Sequence, residues 1–265
     1  MGALRRSYRI ALLALLLAAG LTIAIAAFPL LGAAARERIV AGWSRALMRV
    51  CGITVREVVA PDAAPLAQFR GAMLLANHVS WLDVFAIDSV APASFVAKAE
   101  VARWPLVGTL VSRVGTVYID RGRRHAVHDV NLRLERRLRE GARVAVFPEG
   151  TTCDGSRLLP FYGNLAQAAL AAGAPVVPVA LRYVDRDGRS NPAPLYVGET
   201  TFVESLWRIA GDRGSVCELH VLPAIATADG VTRQQIARSA RDAISRRLGL
   251  APEDTAPASP PDPTA

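Results

Sequence analysis

Short apolar runs alternate with amphipathic segments through the middle of the chain, between residues 72 and 182. The apolar runs, which we predict to be strands, are residues 72–76, 94–97, 116–119, 143–147 and 175–182. The segments predicted to be helices are residues 81–90, 100–111, 125–140 and 163–172. Short apolar strands that alternate with helices predict an α/β domain in which a largely parallel sheet is flanked by helices.

The segment 125–140 has the clearest helical pattern of the chain. Its apolar residues recur every three or four positions, charged residues fill the other positions, and Gly141 provides a stop. Three more elements follow the central region: strand-like stretches at residues 196–203 and 216–222, and a last helix at residues 231–248. Residues 251–265 are rich in Pro, Ala and Asp, which is typical of a disordered tail.

Pro178 interrupts the strand predicted at residues 175–182. Proline has no N–H group to give to a sheet ladder. The pattern therefore favours an edge strand, a bulge or a tight contact at this point over a central ladder position.

A long uncharged run, residues 10–35, follows Arg5, Arg6 and Arg9 near the N-terminus. The apolar core of a signal peptide usually spans about 7–15 residues, whereas about 20 apolar residues span a bilayer. We therefore predict a membrane segment, with a cleaved signal peptide as the alternative. Gly20 and Pro29 are candidate helix breakers. Arginines on both sides of the run leave its orientation open, and they leave open whether it crosses the bilayer or re-enters.

Residues 36–51 have the pattern of a basic amphipathic helix, which either lies in the lipid interface or packs on its own domain. Residues 56–70 contain two prolines and predict an irregular connector or a weak edge element. The resulting division of the chain is a membrane anchor with an amphipathic helix at residues 1–55, an α/β domain at residues 56–250 and a tail at residues 251–265.

Composition narrows the classes of partner. The chain has 31 Lys and Arg residues against 23 Asp and Glu residues, a net charge of +8, and 52% hydrophobic residues. This balance suits anionic partners, and membrane lipid or a phosphorylated substrate is favoured because no nucleic-acid-binding motif is present. Three widely spaced cysteines indicate neither a disulfide framework nor a zinc site, and they fit a reducing compartment.

The most informative stretch is Asn-His-Val-Ser-Trp-Leu-Asp at residues 77–83, between a predicted strand and a predicted helix. Residues five positions apart lie about 140° apart on a helix, so His78 and Asp83 meet only if His78 occupies the turn and Asp83 the first helical turn. A carboxylate there would hold one imidazole nitrogen while the other faces a substrate. The structural alternative, compatible with this one, is a capping box formed by Ser80 and Asp83.

Two other strand ends carry candidate chemistry. The segment 115–121 ends in Asp120 and Arg121, and arginine near a helix start suits phosphate, although a solvated loop arginine is the alternative. The segment 144–155 runs from an apolar strand into a turn rich in glycine and hydroxyl residues. Such a turn allows close approach of a ligand to the backbone, and an ordinary turn is the alternative.

Taken together and in this order, these blocks resemble those of the PlsC-type glycerolipid acyltransferases over about residues 70–182. The family pattern Asn-His-x-x-x-x-Asp is matched at residues 77–83, Asp-Arg at residues 120–121, Phe-Pro-Glu-Gly-Thr at residues 147–151 and Val-Pro-Val at residues 177–179. The resemblance implies an α/β domain that transfers an acyl chain from acyl-CoA or acyl carrier protein to a lysolipid, with no further cofactor and no metal.

The resemblance also implies roles for individual residues. His78 is the expected general base and Asp83 its orienting partner. Candidate substrate-binding residues are Asn77, Ser80, Lys98, Arg121, Glu149, Gly150, Thr151, Thr152 and Arg157. His125, His128 and His220 lie on predicted helix or strand surfaces, and we interpret them as structural.

One departure from the family pattern concerns the acceptor. Many lysophosphatidate acylators have arginine where this chain has Thr152, and Arg157 is the candidate substitute. The acceptor is therefore open between lysophosphatidate, lyso-ornithine lipid and lysophosphocholine. The expected location is the inner or plasma membrane, with the catalytic domain on the cytoplasmic face.

Two other functions remain open. The first is a lipid-binding protein without turnover. The second is a thioesterase or lipase that uses water as the acceptor, although the chain has no Gly-x-Ser-x-Gly elbow.

Overall fold

A computed structural model describes residues 2–120 and 125–250. Its helices are α1 (Gly2–Thr22), α2 (Ala33–Val50), α3 (Leu82–Val90), α4 (Val107–Arg113), α5 (Ala126–Arg139), α6 (Gln167–Ala172), α7 (Phe202–Gly211) and α8 (Arg233–Leu248). Its strands are β1 (Ile53–Val59), β2 (Met73–Ala76), β3 (Ser94–Lys98), β4 (Val117–Ile119), β5 (Val144–Val146), β6 (Val176–Val184) and β7 (Ser215–Val221). Arg121 and the tail predicted at residues 251–265 lie outside the described residues.

Within the described residues the strands form one sheet in the order β1-β7-β6-β2-β5-β3-β4. Every pairing is parallel except that of β6 with β7. This arrangement confirms the largely parallel sheet predicted from the alternating pattern. Strand β2, which leads into the His78 turn, lies in the interior of the sheet between β5 and β6, so its carboxyl end opens at the centre of one sheet edge.

The two faces of the sheet carry separate apolar clusters, because successive side chains of a strand point to opposite faces. Leu74 and Ala76 of β2 pack in the cluster that contains residues of α2 and α3. Met73 and Leu75 pack in the cluster that contains residues of α5, α6 and α8. Helices therefore cover both faces, as predicted, and they fix the backbone from which the turn at residues 77–81 emerges.

The strand-like interpretation of residues 196–203 is wrong, because residues 196–201 form loop and turn and helix α7 begins at Phe202. The Thr201 hydroxyl accepts the N–H of Glu204, which caps the helix start. The helix is amphipathic, since Ser205, Ile209 and Ala210 are buried whereas the residues between them are partly or fully exposed. The apolar pair Phe202 and Val203 thus forms the first turn of a helix and not the end of a strand.

Two further element boundaries differ from the prediction. The helix predicted at residues 100–111 is divided into a 3-10 turn, Ala99–Arg103, and helix α4, since Pro105 disfavours helical geometry at the residue before it. The weak edge element expected within residues 56–70 is a seven-residue edge strand, β1, which begins earlier and pairs along its full length with β7.

Pro178 lies in an interior strand, so its interpretation as an edge residue is wrong. Strand β6 pairs with β2 on one side and with β7 on the other. The antiparallel ladder ends at Val179, paired with Val221, and the carbonyl oxygen of Pro178 accepts the N–H of Leu222. The next pairing is the bridge of Val176 with Ile225. From Val179 to Val176 the chain moves three residues along β6, whereas from Val221 to Ile225 the partner segment moves four residues. The extra residue on the partner segment forms a bulge, which was one of the alternatives predicted from Pro178.

The N-terminal residues form two helices that pack on the α/β domain. The segment Gly2–Leu30 is long and apolar enough, by length and composition, to cross a membrane. It turns at Phe28–Leu30, the 3-10 turn that contains Pro29. Gly20, in contrast, does not break α1: the indole N–H of Trp43 in α2 donates to the carbonyl of Leu16 at 2.9 Å, and a Cβ at Gly20 would meet that indole ring.

Candidate active site

His78 and Asp83 are in contact at the junction between β2 and α3. Strand β2 ends at Ala76 and α3 begins at Leu82, so His78 lies in the connecting turn and Asp83 in the first turn of the helix. The Nδ1 atom of His78 lies 2.9 Å from Oδ2 of Asp83. This is the geometry that the five-residue spacing predicted.

The Asp83 carboxylate is completely buried and uses both of its oxygens. Oδ2 accepts the backbone N–H groups of Val79 and Ser80, each at 2.8 Å, in addition to its contact with His78. Oδ1 accepts the phenol O–H of Tyr183 at 2.9 Å. Four interactions from two segments of the chain, residues 78–80 and Tyr183, therefore hold this carboxylate in a single orientation.

The orientation of Asp83 determines the tautomer of neutral His78. A carboxylate accepts hydrogen bonds only, so the ring proton lies on Nδ1 and Nε2 carries the lone pair. Within the described part of the chain, Nε2 has no hydrogen-bond partner. The side chain is 19% exposed, so this basic nitrogen can reach a bound molecule.

The capping box suggested by Ser80 and Asp83 is present only in half. The Asp83 carboxylate does accept the N–H of Ser80, but the Ser80 hydroxyl accepts the N–H of Leu82 at 3.2 Å instead of that of Asp83. The same hydroxyl donates to the carbonyl of Pro194 at 2.6 Å. Ser80 is thus a buried link between the turn and the segment that precedes α7.

The loop after β5 also supports His78. The ring of Phe147 stacks on the imidazole, with ring centroids 3.9 Å apart and planes 11° apart. The N–H of Cys153 donates to the carbonyl of His78 at 2.9 Å. Ring and backbone are therefore both fixed by residues that lie about 70 positions further along the chain.

Glu149 is a backbone clamp in this structure. Its Oε1 accepts the N–H of His78 at 2.8 Å and its Oε2 accepts the N–H of Leu159 at 2.9 Å. Burial raises the pKa of this carboxyl, and the two backbone hydrogen bonds oppose the rise. Because both oxygens are occupied inside the protein, the contacts visible here position His78, and a head-group contact of Glu149 stays a prediction.

The other predicted substrate-binding residues fall into two groups. Asn77 is buried, and its side-chain amide exchanges two hydrogen bonds with the backbone of Leu181, so it extends the sheet. The second group is at least partly accessible at the surface, and its substrate contacts stay a prediction: Lys98, Gly150, Thr151, Thr152 and Arg157. Arg121 lies outside the described residues, and its role stays a prediction.

Other histidine and cysteine side chains take no part in the contact between His78 and Asp83. His128 is exposed on α5, but His220 is buried in β7, where its Nδ1 accepts the guanidinium of Arg247 at 3.0 Å, so its placement on a strand surface was wrong. Burial raises the pKa of the Cys153 thiol to about 12, with the carboxylate of Glu149 adding to the effect. Such a thiol is protonated near neutral pH and is a poor nucleophile.

Sequence reasoning missed Tyr183 and Phe147 as parts of the site. Tyr183 comes from β6, 100 residues after Asp83, and only the fold brings the two together. Phe147 was noted within its sequence block, but no periodicity indicates that its ring faces His78. A cavity of about 180 Å³ adjoins the turn, lined among others by Val79, Leu181 and Tyr183.

Comparison with known proteins gives consistent similarities. A family model described as Acyltransferase matches residues 57–182. A lyso-ornithine lipid O-acyltransferase of Pseudomonas aeruginosa is 39% identical over 217 residues, which are 81% of this chain and 79% of that protein. A 1-acyl-sn-glycerol-3-phosphate acyltransferase of Neisseria gonorrhoeae is 43% identical over 140 residues, which are 53% of this chain and 54% of that one.

A solved structure has the same fold. The crystal structure of the 1-acyl-sn-glycerophosphate acyltransferase PlsC from Thermotoga maritima matches with a TM-score of 0.62 and covers 92% of this chain and 96% of that one. The sequences are 19% identical, so this similarity carries the fold alone.

Proposed function

Because this chain belongs to the PlsC-type glycerolipid acyltransferase family, we propose that it transfers a fatty acyl group from a thioester donor to a lysolipid hydroxyl with His78 as general base. The observation that carries this mechanism is the 2.9 Å contact of Asp83 with Nδ1 of His78, which leaves Nε2 basic and partly exposed. The donor is acyl-CoA or the acyl thioester of acyl carrier protein.

The steps balance without a covalent acyl-enzyme. Nε2 removes the proton of the acceptor hydroxyl as its oxygen attacks the thioester carbonyl carbon, and the carbonyl electrons move to oxygen. The carbonyl re-forms as the carbon–sulfur bond breaks, and the thiolate leaves and takes the proton from the imidazolium. Asp83 stabilises that imidazolium through the Nδ1 hydrogen bond, which strengthens when the ring is charged.

We favour lyso-ornithine lipid as the acceptor, with lysophosphatidate as the second candidate. Two observations support this order. The similarity to the Pseudomonas aeruginosa protein covers 81% of this chain, whereas the similarity to the Neisseria gonorrhoeae protein covers 53%. In addition, Thr152 places no cation at the position where many lysophosphatidate acylators have arginine.

The proposed location is the cytoplasmic surface of a membrane, where a lipid acceptor and a water-soluble thioester meet. Helix α1 is uncharged beyond Arg9, and its exposed residues include Leu4, Tyr8 and Leu15. Helix α2 carries Arg38 and Arg49 on its accessible surface, and cations there are attracted to anionic head groups.

The test is an acyl-transfer assay with the full-length chain in detergent. Acyl-CoA and acylated acyl carrier protein are each supplied with lyso-ornithine lipid, lysophosphatidate or no acceptor, and the released thiol and the lipid products are quantified. We expect thiol release and a diacylated product only with an acceptor. Free fatty acid without an acceptor would instead indicate a thioesterase, and binding without thiol release would indicate a lipid-binding protein.

A further inference from the structure

Helix α7 presents apolar side chains to the outside of the protein. Phe202 is 40% exposed, Val203 is 74% exposed and Trp207 is 52% exposed, whereas Ser205, Ile209 and Ala210 of the same helix are buried. Val203 and Trp207, four residues apart, share one face of the helix, and Phe202 lies at its first position. A group of large exposed apolar side chains of this kind marks a site of interaction. Neither the general-base mechanism nor the sheet core accounts for this face.

The α7 face continues into the apolar surface of α1. The guanidinium of Arg6 lies 5.1 Å above the ring of Trp207. Arg9 donates to the carbonyls of Ile209 at 3.2 Å and Asp212 at 2.8 Å, at the C-terminal end of α7. The two helices therefore form one continuous exterior surface, and whatever medium covers α1 also reaches α7.

The charges around this surface are complementary to phosphate. Arg5 and Arg6 form no ion pair within the described residues, although Arg5 donates to the carbonyl of Gly211. Glu204 is the single acidic residue within α7; it is exposed in the first turn of the helix, and it forms no ion pair with these arginines within the described residues. Guanidinium groups without carboxylate partners beside aromatic and aliphatic side chains match the interface of an anionic lipid bilayer.

The same helix touches the turn that carries His78. The ring of Phe202 lies 5.1 Å from the ring of Trp81, three residues after His78. The indole N–H of Trp81 donates to the hydroxyl of Ser205 at 3.1 Å. A bilayer in contact with the outer face of α7 would therefore lie one helix thickness from the His78 turn.

We propose that α7 is a second membrane-contacting element, whose Phe202, Val203 and Trp207 side chains lie in the interface of an anionic bilayer beside α1. This arrangement presents the His78 turn to lysolipid in the leaflet that α7 contacts. The catalytic role of this membrane contact rests on the proposed acyl transfer, whereas the contact between α7 and the bilayer does not depend on it.

A site-specific label tests the contact in the full-length protein. The three native cysteines, Cys51, Cys153 and Cys217, are all buried, so an introduced cysteine takes up the label. Val203→Cys and, as control, Leu132→Cys are each labelled with an environment-sensitive fluorophore. Leu132 is 52% exposed on α5, a helix on the other face of the sheet.

The labelled proteins are mixed with vesicles of phosphatidylcholine and phosphatidylglycerol in equal parts. We expect a blue-shifted emission and quenching by lipid-borne nitroxides at position 203, and unchanged emission at position 132. Equal, water-like emission at both positions would overturn the proposal. A blue shift at position 203 that grows with protein concentration without vesicles would assign the face to a second copy of the chain and would also overturn it.

A kinetic comparison separates this proposal from the proposed function. For the wild type, Val203→Glu and Leu132→Glu, the rate with bilayer-embedded lysolipid is divided by the rate with a short-chain, monomeric lysolipid. We expect this ratio to fall severalfold for Val203→Glu and to stay at the wild-type value for Leu132→Glu. An unchanged ratio in an active Val203→Glu protein overturns the role of α7, whereas a wild type that acylates neither acceptor overturns the proposed function instead.

Discussion

Tyr183 donates its phenol proton to Oδ1 of Asp83 at 2.9 Å, and both side chains are buried. The phenol thereby occupies the carboxylate oxygen that His78 does not use. Burial, followed by the nearby Asp83 charge, raises the pKa of Tyr183 well above its usual range, so the phenol remains a donor at every working pH. Asp83 is consequently oriented from the sheet as well as from its own helix.

Tyr183→Phe should move the acid limb of the pH profile of kcat/KM to higher pH. Without the phenol, more of the negative charge of Asp83 acts on the imidazolium, which then holds its proton more tightly. The unmet carboxylate oxygen should also lower stability by about 1–3 kcal/mol. The measurement is kcat/KM against pH, together with thermal unfolding.

Tyr162→Phe is the control for Tyr183→Phe, since it removes a half-buried phenol from the loop after β5 without touching Asp83. A Tyr183→Phe profile that coincides with the wild-type profile would show that the phenol does not act through Asp83. The other titratable groups that face this pair, Glu149 and Cys217, are unchanged in both variants.

His78→Ala should reduce the turnover number by roughly 10²–10⁴-fold, the usual contribution of a positioned general base. The backbone of residue 78 keeps its contacts with Glu149 and Cys153, so the fold should survive. Transfer is measured as thiol release, and folding as the thermal unfolding midpoint. His128→Ala, an exposed histidine on α5, should behave as wild type; a folded, fully active His78→Ala protein would refute the assignment of the base.

Thr152→Arg should shift acceptor preference towards lysophosphatidate. A guanidinium at this half-buried position can pair with a phosphomonoester, and a charge-assisted hydrogen bond of about 1.5 kcal/mol corresponds to roughly a tenfold change. The measurement is the ratio of kcat/KM for lysophosphatidate to that for lyso-ornithine lipid. Thr227→Arg is the control, because the Thr227 hydroxyl donates to the carbonyl of Ala174, just before β6. It should leave the ratio unchanged, and an equal effect of both substitutions would argue against a local contact.

Asp88→Asn should stabilise the protein at pH 8 and have little effect at pH 4. Burial raises the pKa of Asp88 from 3.8 to about 7, against the opposing hydrogen bond from Ala93 and the charge of Arg143. A raised folded pKa means that the contribution of this carboxyl to stability is fully present below pH 3.8 and is lost as the pH rises through 7. Asparagine keeps the acceptor for the Ala93 N–H without the charge.

The difference in free energy of unfolding between Asp88→Asn and wild type should therefore grow with pH, to on the order of 1–3 kcal/mol. Thermal unfolding at pH 4, 6 and 8 measures it. Asp129→Asn on α5, a residue outside the core, is the control, and its difference from wild type should not depend on pH in this way. A difference that shrinks as the pH rises would contradict the proposed cost of ionising Asp88.

The part of the site that sequence predicted is the local part. His78 and Asp83 belong to one strand-to-helix turn, so helical geometry and spacing were enough to predict their contact. Strands β2 to β7 and most helices of the α/β domain were likewise predicted by local periodicity, whereas β1 was expected only as a connector or a weak edge element. Helix α7 was not, because a short apolar run fits a strand and a helix equally well until its neighbours are known.

The contacts that sequence could not predict join distant segments. Tyr183 approaches Asp83 only because β6 pairs with β2, and Arg9 approaches α7 only because α1 packs across it. Glu149 is a further example. Its place in a sequence block indicated a ligand contact, whereas in the fold both of its carboxylate oxygens accept backbone N–H groups. A block of residues thus marks a site without revealing which members face the ligand.

Arg9 joins α1 to the C-terminal end of α7 by hydrogen bonds, so the N-terminal helix packs directly against the α/β domain. With α1 in a bilayer, the enzyme would meet its acceptor by lateral diffusion in two dimensions. Its velocity would then follow the mole fraction of lysolipid in the leaflet, and diluting that leaflet with inert lipid would slow turnover even when the total amount of acceptor is constant.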